Sequence, residues 1–174
     1  MSKLTPVQER FVLHWGEMGY RWGINRTVAQ IHALLYLSPR PLSADQICEA
    51  LGVARSNVST SLRELQNWGI VKVAHVMGDR RDHFESMKNV WEMFRVVLHE
   101  RKKREIDPTL ALLRACVDET AKPGVKDDYT RERLVEMRDF FETMSGWYDQ
   151  IAQLPMPAVM RFVRMGEKLR KLVG

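Results

Sequence analysis

If residues 55–67 are wound at 100° each, Val58, Leu62 and Leu65 fall in one narrow sector, with Ser61 beside them. The opposite sector holds Ser56, Thr60, Arg63 and Asn67, with Asn57 and Ser59 at its edges and Arg55 at the start. A solvated helix face ordinarily carries several Glu and Lys, whereas this one offers hydroxyls, amides and one long cation. Short hydroxyls permit close approach to a partner. The Asn57 amide matches adenine, and the Arg63 fork matches guanine or a phosphate. The chemistry open to this face is hydrogen bonding to base edges in a major groove.

A second group follows at Gly78-Asp79-Arg80-Arg81-Asp82, where two arginines stand between carboxylates on what reads as a hairpin tip. An arginine on a thin loop can enter a minor groove, where the potential is most negative. A formal net charge of +5 suits a polyanionic partner without deciding the matter. Other chemistries find no footing. His14, His32, His75, His83 and His99 include no i, i+4 pair, and neither Cys48 nor Cys116 has a thiol or imidazole nearby in sequence. No metal site is therefore expected, and both cysteines read as small core hydrophobes. Without a G-x-S-x-G or a phosphate-cradling glycine loop, we expect no catalytic residue, no cofactor and no enzyme. The basic run Arg101-Lys102-Lys103-Arg104 reads as a helix end, where cations suit the macrodipole. Arg161, Arg164, Lys168, Arg170 and Lys171 read as a solvated helix face.

The frame that must hold these groups is helical. With 174 residues, 45% apolar and 28% charged, the chain can bury one proper core. No run approaches the ~20 apolar residues of a membrane span, and the first residues lack a signal-peptide pattern, so a cytoplasmic protein without membrane contact is expected. Val7, Phe11, Trp15 and Met18 make one stripe over residues 5–18 that needs a partner, and Gly19, Gly23 and Asn25 then interrupt it. A helix over residues 26–37 turns Val28, Ile31, Leu34 and Leu35 inward and stops at Ser38-Pro39-Arg40-Pro41. Ser43 and Gln46 form a capping box opening a short helix that Gly52 ends, and the helix over 55–67 ends at Gly69, a left-handed cap position. Residues 70–76 and 83–86 read as strands around a polar turn. Helices follow over 87–105, over 108–120 with Asp107 as N-cap and Pro108 at the first position, over 128–153 and over 158–172. Breaks fall at Lys122-Pro123-Gly124 and Pro155-Met156-Pro157. The expected fold is mainly α with a small β-hairpin wing: a winged helix-turn-helix with a helical dimerisation arm and C-terminal helices. Its parts are an arm over 1–24, a DNA-binding domain over 25–87 and a helical linker and dimerisation region over 88–174.

The runs Pro41-Leu42-Ser43 to Ile47, Leu51-Gly52-Val53 to Val58-Ser59, Leu62, Leu65, Trp68-Gly69-Ile70-Val71 and Gly78-Asp79-Arg80-Arg81 resemble the winged-helix domain of the MarR superfamily. Ser56-Asn57-Val58-Ser59, Leu62-Arg63-Glu64-Leu65 and Gly78 to Phe84 are similar to its GbsR branch, regulators linked to osmoprotectant uptake and synthesis. The likeness spans roughly residues 15 to 95. It implies a homodimeric repressor released by a small ligand, with Asp79 orienting Arg81 for the minor groove. One departure stands at Ala54, where many relatives have a serine N-cap; its absence would cost about 1 kcal/mol of local helix stability unless another group caps the helix.

The expected function is therefore sequence-specific binding to a double-stranded DNA operator by a dimeric, ligand-responsive transcriptional repressor. Its readers would be Arg55, Ser56, Asn57, Ser59, Thr60, Arg63, Asp79, Arg80 and Arg81. A winged-helix module for protein assembly is the competitor, but calls for a more apolar helix face; a DNA-binding regulator without an effector is a third possibility. Five tryptophans are a generous supply. Trp15, Tyr20, Trp22, Trp91, Trp147 and Tyr148 are candidates to hold a quaternary-ammonium osmolyte, whose charge favours electron-rich ring faces, although each ring singly suits ordinary packing.

Overall fold

A computed structural model describes residues 4–122 and 127–165, and the chain divides into two units, Met1–Val96 and Val97–Gly174. In the first unit, helix α1 (Pro6–Arg21) opens at Thr5, whose hydroxyl accepts from the Gln8 amide at 3.3 Å while Gln8 Oε1 accepts from the Thr5 amide at 2.9 Å. The helix runs through Gly19 instead of stopping before it. There α1 lies against α2 (Arg26–Leu37), so closely that a Cβ on Gly19 would stand 2.5 Å from Ala29 Cβ. A glycine that reads as a break in the sequence is thus a contact point. The inward residues of α1 are Val12, Gly16 and Gly19, which leaves Val7 and Trp15 exposed and Phe11 and Met18 half-buried.

Asn25 caps α2 by accepting from the Thr27 amide at 2.8 Å. Seven of its twelve residues are buried, and Ile31 and Leu35 meet Ile47 of α3 (Ala44–Leu51), Val58 and Leu65 of α4 (Arg55–Asn67), and Ile70 in one core cluster. Each such aliphatic contributes about 1.5 to 3 kcal/mol of burial. The Ser43–Gln46 capping box opens α3 as expected. At the other end of α4, Gly69 takes φ +74°, and the amides of Gly69 and Ile70 return to the carbonyls of Gln66 and Leu65 at 2.9 and 3.2 Å. This double closure needs a left-handed residue, which is why a glycine stands there, and it drops Ile70 onto Leu65 in the core.

The sheet has one strand more than the sequence suggests. β1 (Leu42–Ser43), β2 (Val71–Ala74) and β3 (His83–Ser86) pair antiparallel in the order β1-β3-β2, with Leu42 and Val73 both opposite Phe84. The wing is thereby joined to the start of α3. Beyond β3 the Met87 amide donates to the Ile70 carbonyl at 2.8 Å, and Lys88 Nζ donates to the carbonyls of Leu35, Tyr36 and Ser38, each at 2.8 Å. A cation there satisfies the open C-terminus of α2. Asn89 then opens α5 (Val90–Arg101) by accepting from the Trp91 amide at 3.0 Å.

In the second unit Asp107 is not an N-cap. The helix continues through a π turn (Lys102–Ile106) into α6 (Asp107–Thr120), where Asp107 is already helical and its carboxylate accepts from Lys102 Nζ at 2.7 Å. Pro108 lacks an N–H and would collide with the carbonyl four residues back; a wider turn just before it accommodates both faults without breaking the helix. α7 (Asp128–Ala152) is capped by Asp127, and α8 (Met156–Arg164) follows. Leu110 and Val117 are buried on α6, and Arg114 reaches Glu142 of α7 at 2.8 Å. The breakpoint residues Pro123 and Gly124, the Arg164 side chain, and Lys168, Arg170 and Lys171 lie outside the described residues. Both cysteines are free and half-buried. Among the described residues no helix is long and apolar enough to cross a membrane.

Candidate nucleic-acid interface

The first turn of α4 starts from Ala54 in extended conformation with no side-chain cap, so its leading amides stay open to an acceptor from outside. Val58, Ser61, Leu62 and Leu65 anchor the helix in the core. Arg55, Ser56, Asn57, Ser59, Thr60, Arg63 and Asn67 are all exposed. Arg63 and Arg80 carry no ion pair among the described residues, which leaves both guanidiniums free for a partner.

At the wing tip Asp79 grips Arg81 with both carboxylate oxygens. Arg81 Nε donates to Oδ1 at 2.9 Å and Nη2 to Oδ2 at 2.6 Å, and the Arg81 amide also donates to Oδ1 at 3.0 Å. These bonds from Arg81 hold the Asp79 carboxyl well below the usual carboxylate range. The pairing in turn raises Arg81 above its ordinary value. Such a fork fixes the direction of the guanidinium. His83 supports the grip from inside the sheet: its ring is buried, with Nδ1 2.9 Å from the Arg81 carbonyl and Nε2 3.5 Å from Asp79 Oδ2.

Sequence reading missed Asp45. Its carboxylate, in the first turn of α3, pairs with Arg55 of α4 and lies 3.9 Å from Arg81 Nη1, linking recognition helix and wing. The groove between them, about 360 Å³, is lined by Asp45, Arg55, Ser59, Arg63, Arg81 and Phe84. Helix-borne hydrogen-bonding groups and loop-borne cations thus share one side of the first unit, an arrangement that can grasp a polyanion and probe it at two depths. By contrast, Arg101, Lys102 and Arg104 are engaged with Glu105, Asp107 and Glu100, which accounts for three of the four cations in that run.

The candidate aromatic residues fall in both units. Trp15 stacks on Phe11 at 5.4 Å and tilts against His32 at 6.5 Å. The ring of Tyr20 lies under the Arg26 guanidinium at 5.6 Å, and the cavity of about 490 Å³ beside it includes Arg26, a poor host for another cation. Trp22 is exposed at the end of α1, and Trp91 is half-buried at the start of α5. In the second unit Trp147 is exposed, and Tyr148 carries the Lys102 ammonium at 5.9 Å.

Residues 22–82 match the model of the MarR family. The chain is 21% identical over 136 residues to the HTH-type transcriptional repressor GbsR of Bacillus subtilis (strain 168), covering 76% of this chain and 75% of that protein. It is 18% identical over 154 residues to the HTH-type transcriptional repressor OpcR of the same organism, covering 87% and 83%. A crystal structure of a transcriptional regulator superposes with a TM-score of 0.66 at 22% identity, covering 91% of this chain and 99% of that one, a likeness of fold. These relatives are regulators and not enzymes.

Proposed function

We propose, from the premise that this chain is a transcriptional regulator of the MarR type, matched to that family over residues 22–82, that it is a homodimeric, ligand-responsive repressor. Asn57 and Arg63 read bases in the major groove, with Arg55, Ser56, Ser59 and Thr60 against the backbone. Arg81, aimed by Asp79, enters the minor groove beside Arg80. The observation that carries this reading is the pairing of an exposed Ser/Thr/Asn helix face with the Asp79-held guanidinium on one side of the unit. The apolar residues left open on α7 supply the surface for a second copy, and a two-fold dimer places its helices on half-sites about 35 Å apart.

The test begins with a duplex enriched by the protein from a random pool. Arg63→Ala and Asn57→Ala should each cost about 1 to 3 kcal/mol and relax preference at defined positions, while Arg80→Ala and Arg81→Ala weaken all duplexes and flatten the salt dependence. Unchanged affinity in all four would end this docking scheme. The resemblance of residues 56–59, 62–65 and 78–84 to the GbsR branch favours regulation of osmoprotectant genes, with a quaternary-ammonium osmolyte as effector. Operator release by millimolar glycine betaine, choline or ectoine is the expected outcome; no response to any of them removes the osmolyte and leaves the DNA reader standing.

A further inference from the structure

Among the described residues of the first unit, the most exposed large apolar side chain is at the wing tip. Met77 is 102% exposed, as open as a side chain in a free peptide. It stands at the second position of a turn closed by the Asp79 amide on the Val76 carbonyl at 3.1 Å, with Gly78 third at φ +83°. Only a residue at ease with positive φ completes such a turn, and the turn projects Met77 outward at the end of the hairpin. Two residues on is Asp79, whose bonds point Arg81 from the same loop. Met77 and Arg81 are thus carried by one short loop, four residues apart.

We propose that Met77 is a specificity-determining wedge that enters the minor groove beside Arg81 and opens one base step. The proposal rests on the DNA-binding reading above and adds to it a contact that no hydrogen bond makes. An unbranched thioether is flexible and polarizable, and methionine is among the side chains that unstack base steps from the minor groove. Steps differ in how readily they open: TA and CA/TG yield most easily. A wedge would thus select sequence under the wing without contacting a base edge. Because it carries no charge, its contribution must be independent of salt, unlike that of Arg80 or Arg81.

The experiment uses the full chain and a duplex it enriches from a random pool. Met77→Ala and Met77→Gln should each lower affinity about tenfold, the size expected when roughly half of a methionine's burial is lost. The slope of log affinity against log salt should stay the same, and end-to-end fluorescence transfer should report a smaller bend. Met77→Leu should keep both affinity and bend. A second enrichment with Met77→Ala should lose the TA or CA/TG preference under the wing. Affinity within twofold of the parent, an unchanged bend or an unchanged step preference overturns the wedge while the docking scheme stands. If the parent chain enriches no duplex, the DNA-binding reading falls and the wedge with it.

Discussion

Both units expose apolar side chains, but among the described residues the buried ones are concentrated in the first. In the first, Ile31, Leu35, Ile47, Val58 and Leu65 are shut away from water on helices that close one core. In the second, Leu110 and Val117 are buried, while Leu112, Met137, Phe140, Met144 and Trp147 face outward, Phe140 at 60% exposure. A unit of the first kind draws its order from within the chain. Amphipathic helices of the second kind need a further surface, which in our proposal is another copy.

The largest expected effect separates these two cases. Leu65→Ala should destabilise the first unit by about 4 kcal/mol through the cavity it leaves, with a denaturant midpoint that does not depend on protein concentration. Phe140→Glu should leave that transition in place and convert the dimer to monomer in sedimentation. A Phe140→Glu protein that stays dimeric would contradict the distinction.

Acid should find the same boundary with a smaller effect. His32 is buried on α2 with its Nε2 unpartnered, and burial, helped by the charge of Lys88, lowers its pKa from 6.5 to about 4. Because the folded state prefers the neutral ring, this stability is complete above pH 6.5 and drains as the pH falls toward 4. By pH 5 the loss is about 2 kcal/mol. Segment-resolved hydrogen exchange at pH 7 and pH 5 should show faster opening of α2, with His32→Phe abolishing the difference. Equal acceleration in α7 would mean that some other group is responsible.

The smallest effect is a gain. Ala54→Ser supplies the missing cap on α4 and should add about 1 kcal/mol to the first unit alone, read as a higher denaturant midpoint. No gain would show that the open amides already have a partner.

What was legible in the sequence is what neighbours in sequence decide. The Ser43–Gln46 box, the limits of α4 and the Asp79–Arg81 pair all depend on residues within a few positions of one another. What escaped depends on distance along the chain. β1 is two residues long and has no period to read; its partners are Phe84 and His83, far downstream. Asp45 meets Arg55 ten residues on and Arg81 much later. Tyr148 reads as a free ring until Lys102 is found over it. Gly19 and Pro108 misled for another reason: each residue type that breaks helices also serves inside them, where a second helix must come close or a turn is widened.

The root of the wing is fastened three times over: β1 pairs along one edge of β3, the Met87 amide is tied to Ile70, and the Lys88 ammonium is sunk into the carbonyls that end α2. Mechanically, the hairpin root and the reading helix then turn as one block, like a key whose bit is forged to its shank. Residues 75–82 lie outside these strand pairings and are held by their own turn and the Asp79–Arg81 fork. A signal that weakens the grip on DNA has two routes left: a torque on the whole block, or a change in that short loop.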